Sequence, residues 1–380
     1  MEILALIVLT MGTALSLRWK RLGVIAGIAS ILLVLRFEPL LLIVTLIALM
    51  NLISLDLIGR KYGTVFALPA LMLIATVHAF YTSDLPSLIV CFIVASVPTY
   101  ALVLISEDLK TKTAIKYVTF MVTATILFVL GLILIYENFK LFGSFLLLTG
   151  LALEVGIAPL HEWVPDVFSE ADPISASIIA SLAKFVPFLI AFRVLGGEMD
   201  FLSLTFLIAL AVISMFVGNI GGLTSNEPSR ILAYSTIANM GYVISALAVN
   251  PLSLPVAFAG AFIQLLANSV GKVGFFTAIK GGANRLLSFI LSFSMIGVPP
   301  LLGFWGKFFI ATSLLKSNLT FLAIILVVNS VMSVPYYVRL ARFFDRGRSA
   351  LASAVVGVCV LISLTIYPNP IYYSCLSVWR

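Results

Sequence analysis

Long apolar runs follow one another along almost the whole chain, at about 3–17, 22–36, 39–55, 64–82, 86–106, 114–136, 139–160, 173–195, 201–222, 230–249, 255–279, 285–312, 318–344 and 350–374. A helix that crosses a bilayer needs about 20 apolar residues, whereas a membrane strand needs about 10 with alternating polarity. These runs are continuous and do not alternate. They predict an all-α polytopic membrane protein with about fourteen transmembrane helices. The first three runs are short, so a reading as two helices stays open there. Gaps between runs are too short for a soluble domain, so the whole chain reads as one membrane domain. Composition agrees, with 62% of residues hydrophobic and 10% charged, where a soluble chain carries roughly a quarter charged.

The formal net charge of +7 does not point to nucleic acid, because the basic residues sit in the short gaps and build no basic domain. Odd-numbered gaps hold Arg18, Lys20, Arg21, Arg60, Lys61, Lys110, Lys112, Lys116, Arg230, Lys280, Arg285, Arg339, Arg342, Arg346 and Arg348. Even-numbered gaps hold only Arg36, Lys140, Arg193 and Lys316. The positive-inside rule then predicts a cell-membrane protein with odd gaps in the cytoplasm and both termini outside. The first run has no cleavage signal and reads as a retained helix. Cys91, Cys359 and Cys375 are far apart, and the two histidines, His78 and His161, form no haem or metal pattern. No nucleotide-binding glycine loop occurs either. The chain is expected to hold no cofactor, no metal and no redox centre of its own.

With the gaps and Arg380 set aside, Lys184, Lys272, Lys307, Glu154 and His78 remain inside apolar runs. A charge at bilayer depth costs about 2.5–3.5 kcal/mol on insertion scales, so such groups normally face a protein interior or a hydrated path. His78 reads as a core or near-interface histidine. Lys272 has two readings, a functional one and one in which it snorkels toward the cytoplasmic end of its helix. Glu154, Lys184 and Lys307 lie deeper and read as functional. Helix breakers flank two of them: Gly156 and Pro159 follow Glu154, and Gly297, Pro299 and Pro300 precede Lys307. Proline removes a backbone donor, and in a membrane the freed backbone is tolerated only where protein or water satisfies it. One interrupted helix in each half suggests a transporter built from repeated bundles. Pro187 adds a third irregularity, since it frees the carbonyl of Ala183 beside Lys184.

Three stretches carry a family resemblance. Pro159-Leu160-His161-Glu162-Trp163-Val164-Pro165-Asp166 is followed by Asp172-Pro173-Ile174-Ser175 and Lys184. Arg230-Ile231-Leu232-Ala233-Tyr234-Ser235 runs on through Asn239-Met240-Gly241-Tyr242. The third is Gly297-Val298-Pro299-Pro300 with Gly303-Phe304-Trp305-Gly306-Lys307-Phe308. In this order they resemble the antiporter-like membrane subunits of respiratory complex I, membrane-bound hydrogenases and Mrp-type sodium/proton antiporters. The likeness is clearest from about residue 96 to 340, and the chain resembles the compact members. It implies two inverted five-helix repeats, at 64–195 and 201–344, each with a broken helix. Around them stand N-terminal helices in 1–63 and a C-terminal helix in 350–380. It also implies translocation of H⁺ or Na⁺ driven by redox chemistry in partner membrane subunits. Lys184, Lys272 and Lys307 then match the family's buried lysines, and His161 the histidine of the broken seventh helix.

Two departures stand out. The family's fifth-helix glutamate falls on an apolar residue, about Ile93, and its seventh-helix lysine is Glu154. Asn268 replaces the usual histidine before Lys272. Glu154 and Lys184 are therefore candidates for a direct pair, which would offset two buried charges. Two functions follow: an ion-translocating subunit that uses Glu154, Lys184, Lys272 and Lys307 in sequence, or a non-transporting structural and coupling subunit of the same kind of complex. A stand-alone transporter of a small solute is a third reading.

Overall fold

The computed structural model describes residues 1–59, 63–106, 109–197, 199–345, 347, 349–365 and 368–379, with residues 378 and 379 by backbone alone. Arg60, Lys61, Arg346, Arg348 and Arg380 of the charge tally lie outside the described residues. The helices are α1 (Glu2–Ser16), α2 (Lys20–Leu33), α3 (Pro39–Ser54), α4 (Ala67–Tyr81), α5 (Leu85–Leu104), α6 (Thr111–Tyr136), α7 (Lys140–Val155), α8 (Trp163–Glu170), α9 (Pro173–Ser181) and α10 (Phe185–Leu195). They continue as α11 (Phe201–Thr224), α12 (Pro228–Ser245), α13 (Leu254–Gly281), α14 (Arg285–Ile296), α15 (Leu302–Lys316), α16 (Thr320–Met332), α17 (Val334–Arg342), α18 (Ala350–Ser363) and α19 (Asn369–Trp379). Among the described residues the only β-type pairing is an isolated bridge between Gly282 and Gly347.

The chain is an all-helical, multi-pass membrane protein. Among the described residues, nine helices are long and apolar enough to cross a membrane. One continuous helix per apolar run is therefore not what forms. The first three runs make three helices, α1 to α3. The runs at 139–160 and 285–312 break at Gly156 and Gly297, as the prolines predict. The run at 173–195 is interrupted by a 3-10 turn at Leu182–Lys184, three residues before Pro187. The run at 318–344 changes helix at Ser333, where Pro335 cannot continue the ladder. The last run, expected as one helix, is two: Pro368 stands before α19 and Pro370 in its first turn, where proline is tolerated.

Helix starts follow side-chain chemistry. Asp84, Asp172, Asp200 and Asn284 each accept a backbone N–H of the first turn, at 2.8–3.1 Å, which satisfies donors that the helix leaves unpaired. Two arginines do the same for helix ends. Arg193 on α10 donates to the carbonyls of Ala79, Phe80 and Thr82 at the end of α4. Arg339 on α17 donates to those of Gly222 and Leu223 at the end of α11. Both were expected as residues of the gaps between helices. Instead each guanidinium is spent on the negative end of a neighbouring helix.

The layers divide by burial. In Pro228–Ala248 94% of the apolar window is buried, and in Pro173–Leu195 and Leu254–Gly281 89%. In Thr111–Tyr136 the share falls to 28%. The first three spans form a central shaft, while α6 turns most of its apolar surface outward. A helix enclosed on all sides by protein can carry polar groups, provided that its neighbours partner them.

Candidate functional site

Both broken helices end in the same local structure. Gly156 (φ 77°) and Gly297 (φ 91°) adopt the left-handed conformation that glycine reaches without a Cβ penalty. Ile157 N–H donates to the Ala152 carbonyl at 2.8 Å, and Val298 N–H to that of Phe293 at 3.0 Å. This six-residue closure pairs the early carbonyls of the last turn and leaves the final ones open. Pro159 and Pro299–Pro300 then carry the chain across the break; the Ala158–Pro159 and Pro299–Pro300 peptides are cis.

The buried lysines close on these open carbonyls. Lys307 Nζ lies 2.7 Å from the oxygen of Ile296 and 3.2 Å from that of Met295, the last two residues of α14. It also donates to Ser330 Oγ at 3.0 Å and stands 5.0 Å from the centre of the Tyr242 ring. Lys184 Nζ reaches the oxygen of Val155, the last residue of α7, at 3.5 Å. Each half of the chain thus places an ammonium group at the C-terminal, partly negative end of a half-helix.

Glu154 does not pair with Lys184. Its Oε1 accepts from Ser96 Oγ on α5 at 2.5 Å, and its Oε2 has no partner among the described residues. The expected pair fails because the Lys184 side chain reaches the backbone of the next residue, Val155, rather than the carboxylate. Ile93, expected opposite the seventh helix, is 39% exposed. The side chain of α5 that meets Glu154 is Ser96, three residues on and near one helical turn from Ile93.

Lys272 is wholly buried and does not snorkel to a helix end. It donates to the Leu232 carbonyl and to Ser235 Oγ on α12. From there polar side chains continue through the second half. Asn239, one turn beyond Ser235, donates to Tyr337 OH at 3.2 Å and accepts from Gln264 at 2.6 Å. The rings of Tyr337 and Tyr336 are 4.6 Å apart. Tyr336 OH donates to Asn219 at 3.0 Å, and Asn219 reaches Asn329 at 2.9 Å and Tyr242 OH at 3.4 Å. Tyr242 lies under Lys307. Lys272 and Lys307 are therefore joined by a line of buried hydroxyls and amides that no sequence motif had marked. The signal for part of it was present, since Gln264, Asn268 and Lys272 recur every four residues on one face of α13.

Several buried polar atoms have no protein partner among the described residues: Gln264 Oε1 and both amide atoms of Asn268 on α13, Ser294 Oγ on α14 and, in the first half, Glu154 Oε2. Desolvated polar atoms of this kind are satisfied by internal water or by a transient charge. His161 lies outside the line, part-exposed at the break, with Nδ1 3.3 Å from the Pro159 carbonyl. His78 is exposed and pairs with Glu2 at 2.6 Å, a near-interface contact. Among the described residues no cluster of His, Cys, Asp or Glu could hold a metal ion.

Residues 82–285 match the protein family described as "NADH:quinone oxidoreductase/Mrp antiporter, TM". The chain is 29% identical to NADH-quinone oxidoreductase subunit N of Laribacter hongkongensis, in an alignment covering 85% of this chain and 78% of that protein. A chain of the membrane-bound sulfane sulfur reductase, an archaeal respiratory membrane complex, superposes with a TM-score of 0.82 at 18% identity, over 99% of this chain and 95% of that one. A chain of respiratory complex I from Thermus thermophilus does so with a TM-score of 0.79 at 22% identity, over 96% and 97%. The two structural likenesses are of fold.

Proposed function

The chain belongs to the NADH:quinone oxidoreductase/Mrp antiporter transmembrane family, and we propose that it is the antiporter-like subunit of a redox-driven, ion-pumping membrane complex. It translocates H⁺ or Na⁺ along the buried line Glu154–Lys184–Lys272–Lys307, while partner subunits supply the redox chemistry. One observation carries this reading: four ionisable side chains are buried inside the helical bundle, and two of them, Lys272 and Lys307, are linked by polar groups of the central helices. Charges there are costly, and a static fold has no need of four.

Lys184 and Lys307 each hold an ammonium group against the carbonyl end of a half-helix, and Lys272 stands between them on the central helices. A change in charge at one site alters the field at the next, since interactions in a low-dielectric interior are weakly screened. Glu154 supplies the one carboxylate of the line, and its unpartnered oxygen is where a proton or cation would arrive. His161, at the mouth of the first break, is the group placed to pass an ion between that break and the surface.

The same reading takes the architecture as fourteen membrane segments, with inverted repeats at 64–195 and 201–344 between 1–63 and 350–380. Its support is the matched equipment of the two halves. Each has a left-handed glycine at its break and a lysine on the carbonyls before it. Each also has an arginine on its last segment that caps its first, Arg193 on α4 and Arg339 on α11. The basic odd gaps support cytoplasmic loops on that side and both termini outside.

A second reading, a non-transporting coupling subunit, is favoured by the contact of Glu154 with a serine where a charge pair was expected. Ion transport by the whole complex in sealed vesicles separates the two. Glu154→Gln and Lys307→Met, each with assembly verified, should abolish or sharply reduce pumping while redox turnover survives. Unchanged pumping per electron in both variants would establish the coupling reading.

A further inference from the structure

On the face formed by odd-numbered gaps, a cavity of about 520 Å³ opens between the start of α2, the end of α3 and the start of α18. Its walls are apolar: Val24, Ile25, Leu52 and Ile53. Its rim carries Lys20, Arg21 and Asp56. Lys20 is already committed, with Nζ 2.8 Å from Asp56 and 5.6 Å from the centre of the Phe66 ring. Arg21 is exposed, and among the described residues it has no hydrogen-bond or ion-pair partner. Beside the rim, the guanidinium of Arg18 lies 5.2 Å from the centre of the Trp19 ring, and Trp19 is 55% exposed. A tryptophan with flanking cations marks the headgroup level of a bilayer.

Depth separates the two chemistries. Arg21 and Ile25 are four residues apart on α2, about 6 Å along the axis. Ile25 and Ile53 continue from the rim as exposed apolar surface. A free cation therefore sits one helical turn above an open apolar groove, with an aromatic ring at the same level as the cation. We propose that this cavity binds an anionic glycerophospholipid, its phosphate on Arg21 and one acyl chain along Val24, Ile25 and Ile53. Charge complementarity selects this occupant: Arg18, Lys20 and Arg21 outweigh the single Asp56, so an anionic headgroup is favoured over a zwitterionic one. An apolar helix of another subunit would fill the groove but leave Arg21 without a counter-charge. The site lies apart from the buried line and does not depend on what that line carries.

The test uses the complete complex, delipidated in detergent and followed by native mass spectrometry. Phosphatidylglycerol, phosphatidylcholine and inorganic phosphate serve as probes. Phosphatidylglycerol should remain bound where phosphatidylcholine does not. Arg21→Glu should weaken that binding about tenfold or more, since each surface cation contributes on the order of fivefold on an anionic leaflet. Arg21→Lys should retain most of the binding, and Arg230→Glu, at the start of α12, should leave it unchanged. An equal thermal midpoint for Arg21→Glu shows that its fold is intact. Equal retention of both lipids, or no effect of Arg21→Glu, overturns the proposal. Displacement of phosphatidylglycerol by phosphate alone overturns it in favour of a simple anion site. A photo-crosslink from position 25 to another subunit, with no lipid crosslink, overturns it in favour of a protein contact.

Discussion

Lys307 Nζ lies 2.7 Å from the carbonyl oxygen of Ile296, the residue immediately before the left-handed Gly297. The glycine turns the chain out of α14, and the lysine, ten residues on, returns to close what the turn leaves open. A Cβ at Gly297 would stand 3.2 Å from Lys307 Cδ. Gly297→Ala should therefore act twice. It forces an L-residue into a left-handed conformation, at about 1–2 kcal/mol, and it presses on the lysine. Gly59 also has a positive φ, but a methyl group there would meet nothing within 4 Å. Gly59→Ala should lower the thermal midpoint alone, whereas Gly297→Ala should also lower ion transport per electron.

Ser96 is the one hydroxyl that donates to Glu154 among the described residues. Ser96→Ala removes a hydrogen bond from a buried carboxyl group, at about 0.5–3 kcal/mol. The carboxyl stretching band in infrared difference spectra should shift, and pumping should fall while assembly holds. If band and pumping both stay where they were, the Ser96 contact plays no part in charge transfer at Glu154.

Asn268 is buried on α13, and neither of its amide atoms has a partner among the described residues. An amide of this kind costs stability and is replaced by an apolar side chain of similar size at little or no loss. Asn268→Leu should leave the thermal midpoint unchanged or raise it, and should slow ion transport by removing a polar station between Gln264 and Lys272. Stability lost without any change in transport would assign Asn268 to packing.

Arg193 ties α10 to the end of α4 through three carbonyls. Arg193→Met should cost about 2–4 kcal/mol, the range of charged hydrogen bonds lost together. Arg193→Lys should recover little of it, because one ammonium group does not reproduce a planar fork. Detergent-solubilised thermal unfolding measures both, and near-complete rescue by lysine would show that charge alone matters.

α8 is clamped by polar side chains at the start of α6. Glu170 accepts from Lys110 at 2.8 Å and from Thr113 at 2.7 Å, and Lys116 meets Asp166 at 3.0 Å. The contact with Lys110, and then that with Thr113, holds the Glu170 carboxyl below the usual carboxylate range. A lowered acid stabilises the fold above its ordinary value and stops doing so as pH falls through the lowered one. Hydrogen exchange of residues 163–170 should therefore accelerate on acidification below the ordinary glutamate range. Lys110→Met should exchange faster at neutral pH and show a weaker acid dependence. A pH response identical in both proteins would remove Glu170 as its source.

What was legible in the sequence follows from local chemistry. Runs of apolar residues demand lipid or a core, so the all-helical membrane class could be read from them directly. Gly156, Pro159, Gly297, Pro299 and Pro300 act on their own backbone, so the two breaks stood at the expected residues. Glu154, Lys184, Lys272 and Lys307 were visible because a charge inside an apolar run is costly wherever the chain goes.

Partnership was a matter for the tertiary structure. Nothing local says that Lys184 reaches the Val155 carbonyl rather than Glu154, or that Ser96 takes the place opposite Glu154. Those contacts depend on how α5, α7 and the turn before α10 rotate against one another. Asn219, Asn239, Tyr336 and Tyr337 look unremarkable in sequence, because an amide or phenol becomes costly only when its surroundings are known to be dry. The sequence by itself determined which groups were expensive to bury. The packing of α12 and α13 into the centre decided which neighbours make that burial possible.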